Sequence, residues 1–124
     1  MKLWLMIGTA GALGTLIRYG LDVWFVNRLG RSFPWGTLAV NLLGCLLIGI
    51  LLHLLHDRFL LSPHWRAALM IGLLGGLTTF SSFGLQTFGF LKDGQVGTAL
   101  AYVLVSNLSG VLLVWMGYLL ARSW

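Results

Sequence analysis

A run of glycines, hydroxyl residues and aromatic rings interrupts the third long apolar segment of the sequence. It reads Gly75-Gly76-Leu77-Thr78-Thr79-Phe80-Ser81-Ser82-Phe83. Every peptide group in hydrocarbon needs a hydrogen bond, so this run suits a stretch where the chain unwinds and faces protein, an ion or water. Unwinding frees carbonyl oxygens and creates two half-helix ends, which hold cations and anions in discontinuous membrane helices. The sequence therefore predicts an ion site around residues 75–79.

Two phenylalanines follow the glycines directly. Phe80 and Phe83 are three residues apart and share a helix face. The edge of an aromatic ring is positive, so edge-on rings attract an anion without the strong hold of a full charge. A pair of core phenylalanines would be the preferred interpretation if these residues stood alone.

Polar residues at membrane depth are costly unless they face a partner or a cavity. Asn41 lies about two turns into the second apolar segment, and its amide offers two donors that an anion can use. An interhelical hydrogen bond without a role in transport is an equal alternative.

The last apolar segment carries a stripe of hydroxyl groups. Thr98, Tyr102, Ser106 and Ser109 follow the spacing i, i+4, i+8 and i+11, which places them on one side of a helix. Such a stripe can line an ion path, but Ser and Thr also hold membrane helices together, and the stripe alone favours packing.

The composition identifies the solvent in which these segments fold. Hydrophobic residues make up 58% of the 124-residue chain, charged residues make up 9%, and the mean hydropathy is +0.90. Soluble domains carry about 25% charged residues. We therefore predict an all-α integral membrane protein that forms one transmembrane domain over residues 1–124 and is not an enzyme. Four helices of roughly 20 residues or more are expected at residues 3–26, 35–56, 65–91 and 96–121, the third broken near 75–79.

The basic residues give almost no orientation signal. Four of the eight fall on one predicted side (Lys2, Arg58, Arg66, Arg122) and three on the other (Arg28, Arg31, Lys92), while Arg18 lies within the first segment and is not counted. Because Lys and Arg in short loops decide which side stays cytoplasmic, a balanced chain is expected to insert both ways up. Four helices leave little room for a path, so we predict a two-fold antiparallel homodimer with dual topology.

Other sites receive little support from the sequence. Cys45 is the only cysteine, so an intrachain disulfide is impossible. His53, His56 and His64 lie near the end of the second segment and in the following loop, where amphipathic residues are common, and a metal site there is disfavoured.

Two other classes of small membrane protein have a similar size. A dual-topology multidrug exporter needs a carboxylate within the membrane, but the chain has no glutamate, and its three aspartates lie toward the segment ends. A holin-like or non-transporting assembly subunit would not need both a broken helix and an asparagine at depth.

The motifs together resemble the Fluc (CrcB) family of fluoride channels over essentially the full length. They are Gly11-x-x-Gly14-x-x-x-Arg18-Tyr19, Gly36-Thr37-Leu38-x-Val40-Asn41-x-x-Gly44, and the run from Gly75 to Phe83. The resemblance implies an antiparallel dimer in the bacterial plasma membrane that exports fluoride passively and selectively, with a structural sodium ion at its centre.

The resemblance also implies roles for single residues. The carbonyls of Gly75 and Thr78 from both copies would hold the sodium ion, and Arg18 would lie near an aqueous mouth, where Asp22 one turn on could pair with it. The implied fluoride path comprises Asn41, Phe80, Phe83 and Tyr102, joined by the hydroxyls of Ser106 and Ser109.

This chain departs from the family pattern at two places. Gly84 and Gln86 stand where close family sequences have a serine and an acidic residue, so we expect a shorter polar track on the third helix. Ser109-Gly110 replaces the Gly-Ser of many members. The expected result is a persistent path with altered conductance.

Overall fold

The computed structural model describes residues 1–58 and 61–123, and all regular elements in these ranges are helical. The all-helical fold class predicted from composition is therefore confirmed. The side chains of residues 56–58 lie outside the described part of the chain, and so do the expectations that concern His56 and Arg58.

Two long helices form the first half of the molecule. Helix α1 spans Lys2–Leu29 and helix α2 spans Trp35–Leu52, with a π-helical turn at His53–Arg58 extending α2. Gly30 ends α1 with φ +80°, a left-handed conformation that glycine adopts without steric cost. The chain can therefore turn back within the few residues that precede α2.

The second half is divided into shorter pieces before its final long helix. The pieces are α3 at Pro63–Ala67, a π-helical turn at Ala68–Leu73, α4 at Leu74–Leu77, α5 at Phe80–Lys92 and α6 at Val96–Arg122. Between α4 and α5, Thr78 (φ −88°, ψ 158°) and Thr79 (φ −151°, ψ 114°) have extended backbones.

Within the described ranges, three helical stretches are long and apolar enough to cross a membrane. They are Trp35–Leu55, Pro63–Lys92 and Val96–Arg122. Helix α1 is also long enough to cross a membrane, since its 28 residues span about 42 Å, but its glycines and Arg18 lower its mean hydropathy. The chain is accordingly a multi-pass membrane protein.

Glycines allow the helices to approach closely. A Cβ atom on Gly49 of α2 would collide with the carbonyl oxygen of Val114, and one on Gly117 of α6 with that of Leu46. The same relation holds between α1 and α4, where a Cβ on Gly76 would collide with the carbonyl oxygen of Gly11. In lipid, the burial of apolar side chains between helices provides no driving force for association, so close backbone contact stabilises the helix pairs instead.

A small buried cluster lies beside the extended residues. Val40, Leu74 and Leu77 form it and are 1–4% exposed. Val40 precedes Asn41 in α2, and Leu77 precedes Thr78. Packing of this cluster therefore fixes the distance between α2 and the point where α4 ends.

Candidate functional site

Asn41 joins α2 to the extended residues through two hydrogen bonds with the backbone of Thr79. Its Oδ1 accepts from the Thr79 amide at 2.7 Å, and its Nδ2 donates to the Thr79 carbonyl at 3.1 Å. Asn41 thus makes a hydrogen bond between elements, as one of its two sequence interpretations expected, and its part in an ion path stays a prediction. One hydrogen on Nδ2 remains for another acceptor, since the amide nitrogen carries two.

Two carbonyl groups lose their helical donors at the same place. The Thr79 amide would donate to Gly75 in a continuous helix, but it donates to Asn41. The Ser82 amide would donate to Thr78, but it donates to Thr79 Oγ1 at 3.2 Å and so caps α5. The carbonyls of Gly75 and Thr78, predicted as cation ligands, are therefore left without these donors.

The interruption is shorter than the sequence predicted. Gly75 and Gly76 belong to helix α4, and only Thr78 and Thr79 are extended. Gly76 serves the close approach to Gly11, whereas an added Cβ at Gly75 would meet nothing within 4 Å. The chain leaves the helix because Asn41 and the Thr79 side chain provide alternative hydrogen bonds, as is usual for polar side chains at helix ends.

An open groove of about 360 Å³ lies against the interruption. Residues from α2, α4, α5 and α6 line it. Among them are Asn41, Gly75, Thr78, Phe80, Phe83 and Ser106. The structure thus brings six of the nine predicted site residues to one groove.

The two phenylalanines of the groove form a ring pair. Their centroids are 5.6 Å apart with an interplanar angle of 41°. Phe80 is 81% exposed in the single chain. The Phe83 ring continues to Tyr102, with centroids 5.1 Å apart. Three rings in succession thereby lead from the groove into the bundle.

The hydroxyl residues of the α6 stripe lie in different environments. Ser106 Oγ is buried and has no hydrogen-bond partner among the described residues. A buried hydroxyl without a partner carries a free-energy cost, so its position in the groove favours a ligand that accepts a hydrogen bond. Ser109 lines neither this groove nor the two other cavities described below, whereas Asn107, which is not part of the stripe, lines the groove.

Tyr102 belongs to a hydrogen-bonded chain that the sequence did not reveal. The buried Tyr102 hydroxyl donates to Gln86 Oε1 at 2.8 Å, and Gln86 Nε2 donates to Thr37 Oγ1 at 2.8 Å. Gln86 therefore links α5 to both α2 and α6. The Gln86 amide keeps this part of α5 polar. The sequence had led us to expect a shorter polar track here, because Gln86 stands where close family sequences have an acidic residue.

Arg18 does not line the groove. Its Nε donates to the carbonyl oxygen of Gly76 at 3.0 Å. It lines a cavity of about 310 Å³ together with Asp22, Thr79 and Gln86. The two side chains form no ion pair in the described part of the chain, so the expected pairing of Arg18 with Asp22 is absent and Arg18 instead stabilises the end of α4.

The freed carbonyls fit a hard cation such as sodium. Backbone carbonyl oxygens are ligands of the kind that hard cations prefer. Gly75 is exposed in the single chain. Among the described side chains, no group of three His, Cys, Asp or Glu could hold a metal ion. A cation at this place would be held by the backbone carbonyl oxygens of Gly75 and Thr78.

Comparison with known proteins places these features in a family. The sequence profile of the CrcB-like protein, Camphor Resistance (CrcB) family matches residues 5–118. A protein of Stutzerimonas stutzeri is 49% identical over 116 residues, 94% of each chain. One from Acidobacterium capsulatum is 47% identical over 115 residues, 93% of this chain and 90% of the relative.

A third relative, from Geotalea daltonii, is 45% identical over 122 residues, 98% of each chain. All three carry the name fluoride-specific ion channel FluC. The profile match extends over residues 5–118, a range that contains Asn41, the interruption and the ring pair. The chain therefore belongs to the CrcB family.

Proposed function

We propose that this protein is a passive ion channel selective for fluoride, which lets fluoride leave the cytoplasm and so reduces its toxicity. Relatives that cover 93–98% of the chain are named fluoride-specific ion channels. The chemistry of the groove supports the same function, because its contacts to an anion are individually weak and so permit both entry and exit.

The meeting of three kinds of weak donor in one groove carries the proposal. Ser106 contributes a buried hydroxyl without a partner, and Asn41 retains one amide hydrogen. Phe80 and Phe83 supply ring edges. Together these groups replace the hydration of a small anion, and larger halides do not fit the same contacts. Tyr102 and Ser109 continue the proposed path along α6.

The transport needs no chemical step. Fluoride that enters an acidified cell as neutral hydrogen fluoride ionises in the cytoplasm and is trapped there. An inside-negative potential then drives the anion outward by ~2.3 kcal/mol per charge per 100 mV. An open selective path is sufficient, so no pump, proton exchange or enzyme activity is required.

The proposed assembly is an antiparallel homodimer of four-span chains in the bacterial plasma membrane. In it the interruption lies at mid-membrane, with α1 as the fourth span. The open groove, the exposed Gly75 and the 81% exposure of Phe80 support a second copy at this face. Both copies would offer the carbonyls of Gly75 and Thr78 to one structural sodium ion, and Arg18 would lie near the aqueous mouth.

Efflux from liposomes containing only the purified protein tests the function. Vesicles loaded with potassium fluoride and treated with a potassium ionophore are expected to release fluoride to an electrode, whereas chloride-loaded vesicles retain their anion. Absence of fluoride release from correctly inserted protein would overturn the proposal. Release that requires a proton gradient, or uptake of a cationic drug, would instead favour the multidrug exporter, which the absence of glutamate disfavours.

A further inference from the structure

A second cavity lies at the end of the bundle where α1 ends and α6 begins. Its volume is about 750 Å³, and polar and apolar groups line it in similar measure. Gln86 lines this cavity and also the smaller one that holds Arg18. Since Gln86 accepts the hydrogen bond of Tyr102, the cavity begins where the path described above ends.

Phe33 stands between this cavity and Tyr102. It comes from the non-helical link between α1 and α2 and lines the cavity together with Phe90 of α5. The Phe33 and Tyr102 centroids are 5.3 Å apart at an interplanar angle of 79°, and the Phe33 and Phe90 centroids are 6.0 Å apart. Phe90 also contacts the Tyr102 ring, at 6.1 Å.

The rings thus form a continuous series from the groove to the second cavity. Successive centroids from Phe80 through Phe83 and Tyr102 to Phe33 are 5.6, 5.1 and 5.3 Å apart. All of these distances lie within the range of directly contacting aromatic pairs. An anion that moves along the series meets another ring before it loses contact with the previous one.

The fixed charges of the second cavity do not favour an anion. Arg31 lines it, but the carboxylates of Asp22 and Asp93 line it as well. A cavity with one cation and two carboxylates does not concentrate anions by charge. Selection of the anion at this end must therefore come from weaker contacts, and Phe33 and Phe90 are the rings that line the cavity next to Tyr102.

We propose that Phe33 and Phe90 form a second aromatic pair on the ion path, beyond Tyr102, and that their ring edges help to determine selectivity for fluoride. This inference rests on the proposed channel function. It assigns a role in permeation to a residue of an interhelical link, where sequence patterns indicate only a turn.

Fluoride efflux through variants of Phe33 tests the inference. Phe33→Leu removes the ring but keeps an apolar side chain, and we expect efflux per folded protein to fall roughly tenfold, the equivalent of one good aromatic contact. Phe33→Tyr keeps a ring and is expected to recover most of that loss. Phe88→Leu is the matched control, because Phe88 is 62% exposed on α5 and lines none of the three cavities.

A substitution that changes the electrostatics of the Phe33 ring but not its shape distinguishes a role in permeation from a role in packing. Pentafluorophenylalanine at position 33 keeps a ring of similar shape but reverses the charge of its edge. We expect it to lower fluoride efflux and the fluoride-to-chloride ratio as Phe33→Leu does, while gel filtration shows folded protein. A ring that only packs would leave both quantities unchanged.

The outcomes distinguish this inference from the channel function itself. If the unmodified protein releases no fluoride, the channel function fails. If it releases fluoride and the folded Phe33 variants release it equally well, only the aromatic pair is overturned. Should Phe33→Leu fail to fold, Phe90→Leu decides, since loss of efflux supports the pair and unchanged efflux overturns it.

Discussion

At the scale of single residues, Asn41 makes the hydrogen bonds between elements that its sequence position had left open as one of two roles. Oδ1 and one Nδ2 hydrogen of its amide are engaged with Thr79, so Asn41 first fixes the end of the interruption and has one hydrogen left for an anion. Ser106 shows the reverse: its hydroxyl is buried without a partner. Substitution of Ser106 therefore gives a clearer test of the ion path than substitution of Asn41.

Ser106→Ala is expected to lower fluoride efflux several-fold without lowering stability. If the buried Ser106 hydroxyl had only a structural role, its removal would relieve a desolvation cost of about 1–3 kcal/mol and would leave fluoride transport unchanged. Efflux from liposomes and thermal unfolding in detergent measure the two effects. Thr9→Ala is the control, because the exposed Thr9 hydroxyl donates to the carbonyl oxygen of Leu5 in its own helix. Unchanged efflux in Ser106→Ala would exclude the Ser106 hydroxyl from the ion path.

At the scale of elements, the glycines serve packing more than unwinding. Gly76 is helical and allows α4 to approach Gly11 of α1. Gly49 and Gly117 do the same for α2 and α6. Since α2 carries Asn41 and α6 carries Ser106, the distance between these helices sets the width of the groove.

Gly117→Ala is expected to destabilise the protein by about 1–3 kcal/mol, because the added methyl group collides with the carbonyl oxygen of Leu46. Gly97→Ala in the same helix is the matched control, since its methyl group would meet nothing within 4 Å. Thermal unfolding in detergent compares the two variants. Equal stability would mean that the helices separate at little cost and that close packing does not define the groove.

At the scale of the whole molecule, a single chain leaves its groove open. Phe80 is largely exposed, and Gly75 is accessible on the same face. The basic residues meanwhile divide four against three between the two predicted sides. The proposed antiparallel second copy would account for both observations, since it would cover the groove and would require chains in both orientations.

Positively charged tags that force one orientation are expected to abolish fluoride efflux from cells, because only chains of opposite orientation form the proposed dimer. Co-expression of a chain forced into the other orientation should restore efflux. Protease accessibility of the tags verifies the orientation in each case. Full efflux from a single orientation would contradict the antiparallel assembly.

Much of the general character of this protein could be predicted from its sequence. An apolar, acid-poor composition defines a membrane protein because charged groups are costly in lipid, and the motifs around Asn41 and Gly75 identified the family. The roles of all the site residues remain predictions: Gly75 and Thr78 in holding sodium, Arg18 at the mouth, and Asn41, Phe80, Phe83, Tyr102, Ser106 and Ser109 in the ion path.

Only the tertiary structure decided where the helix stops and which residues meet. The two hydrogen bonds between Asn41 and Thr79 join positions 38 residues apart, and that from Tyr102 to Gln86 joins different helices. Phe33 approaches Tyr102 from a link with no regular pattern. Sequence periodicity reports which face a residue occupies on its own helix, whereas these contacts depend on how the helices are packed, which local pattern does not encode.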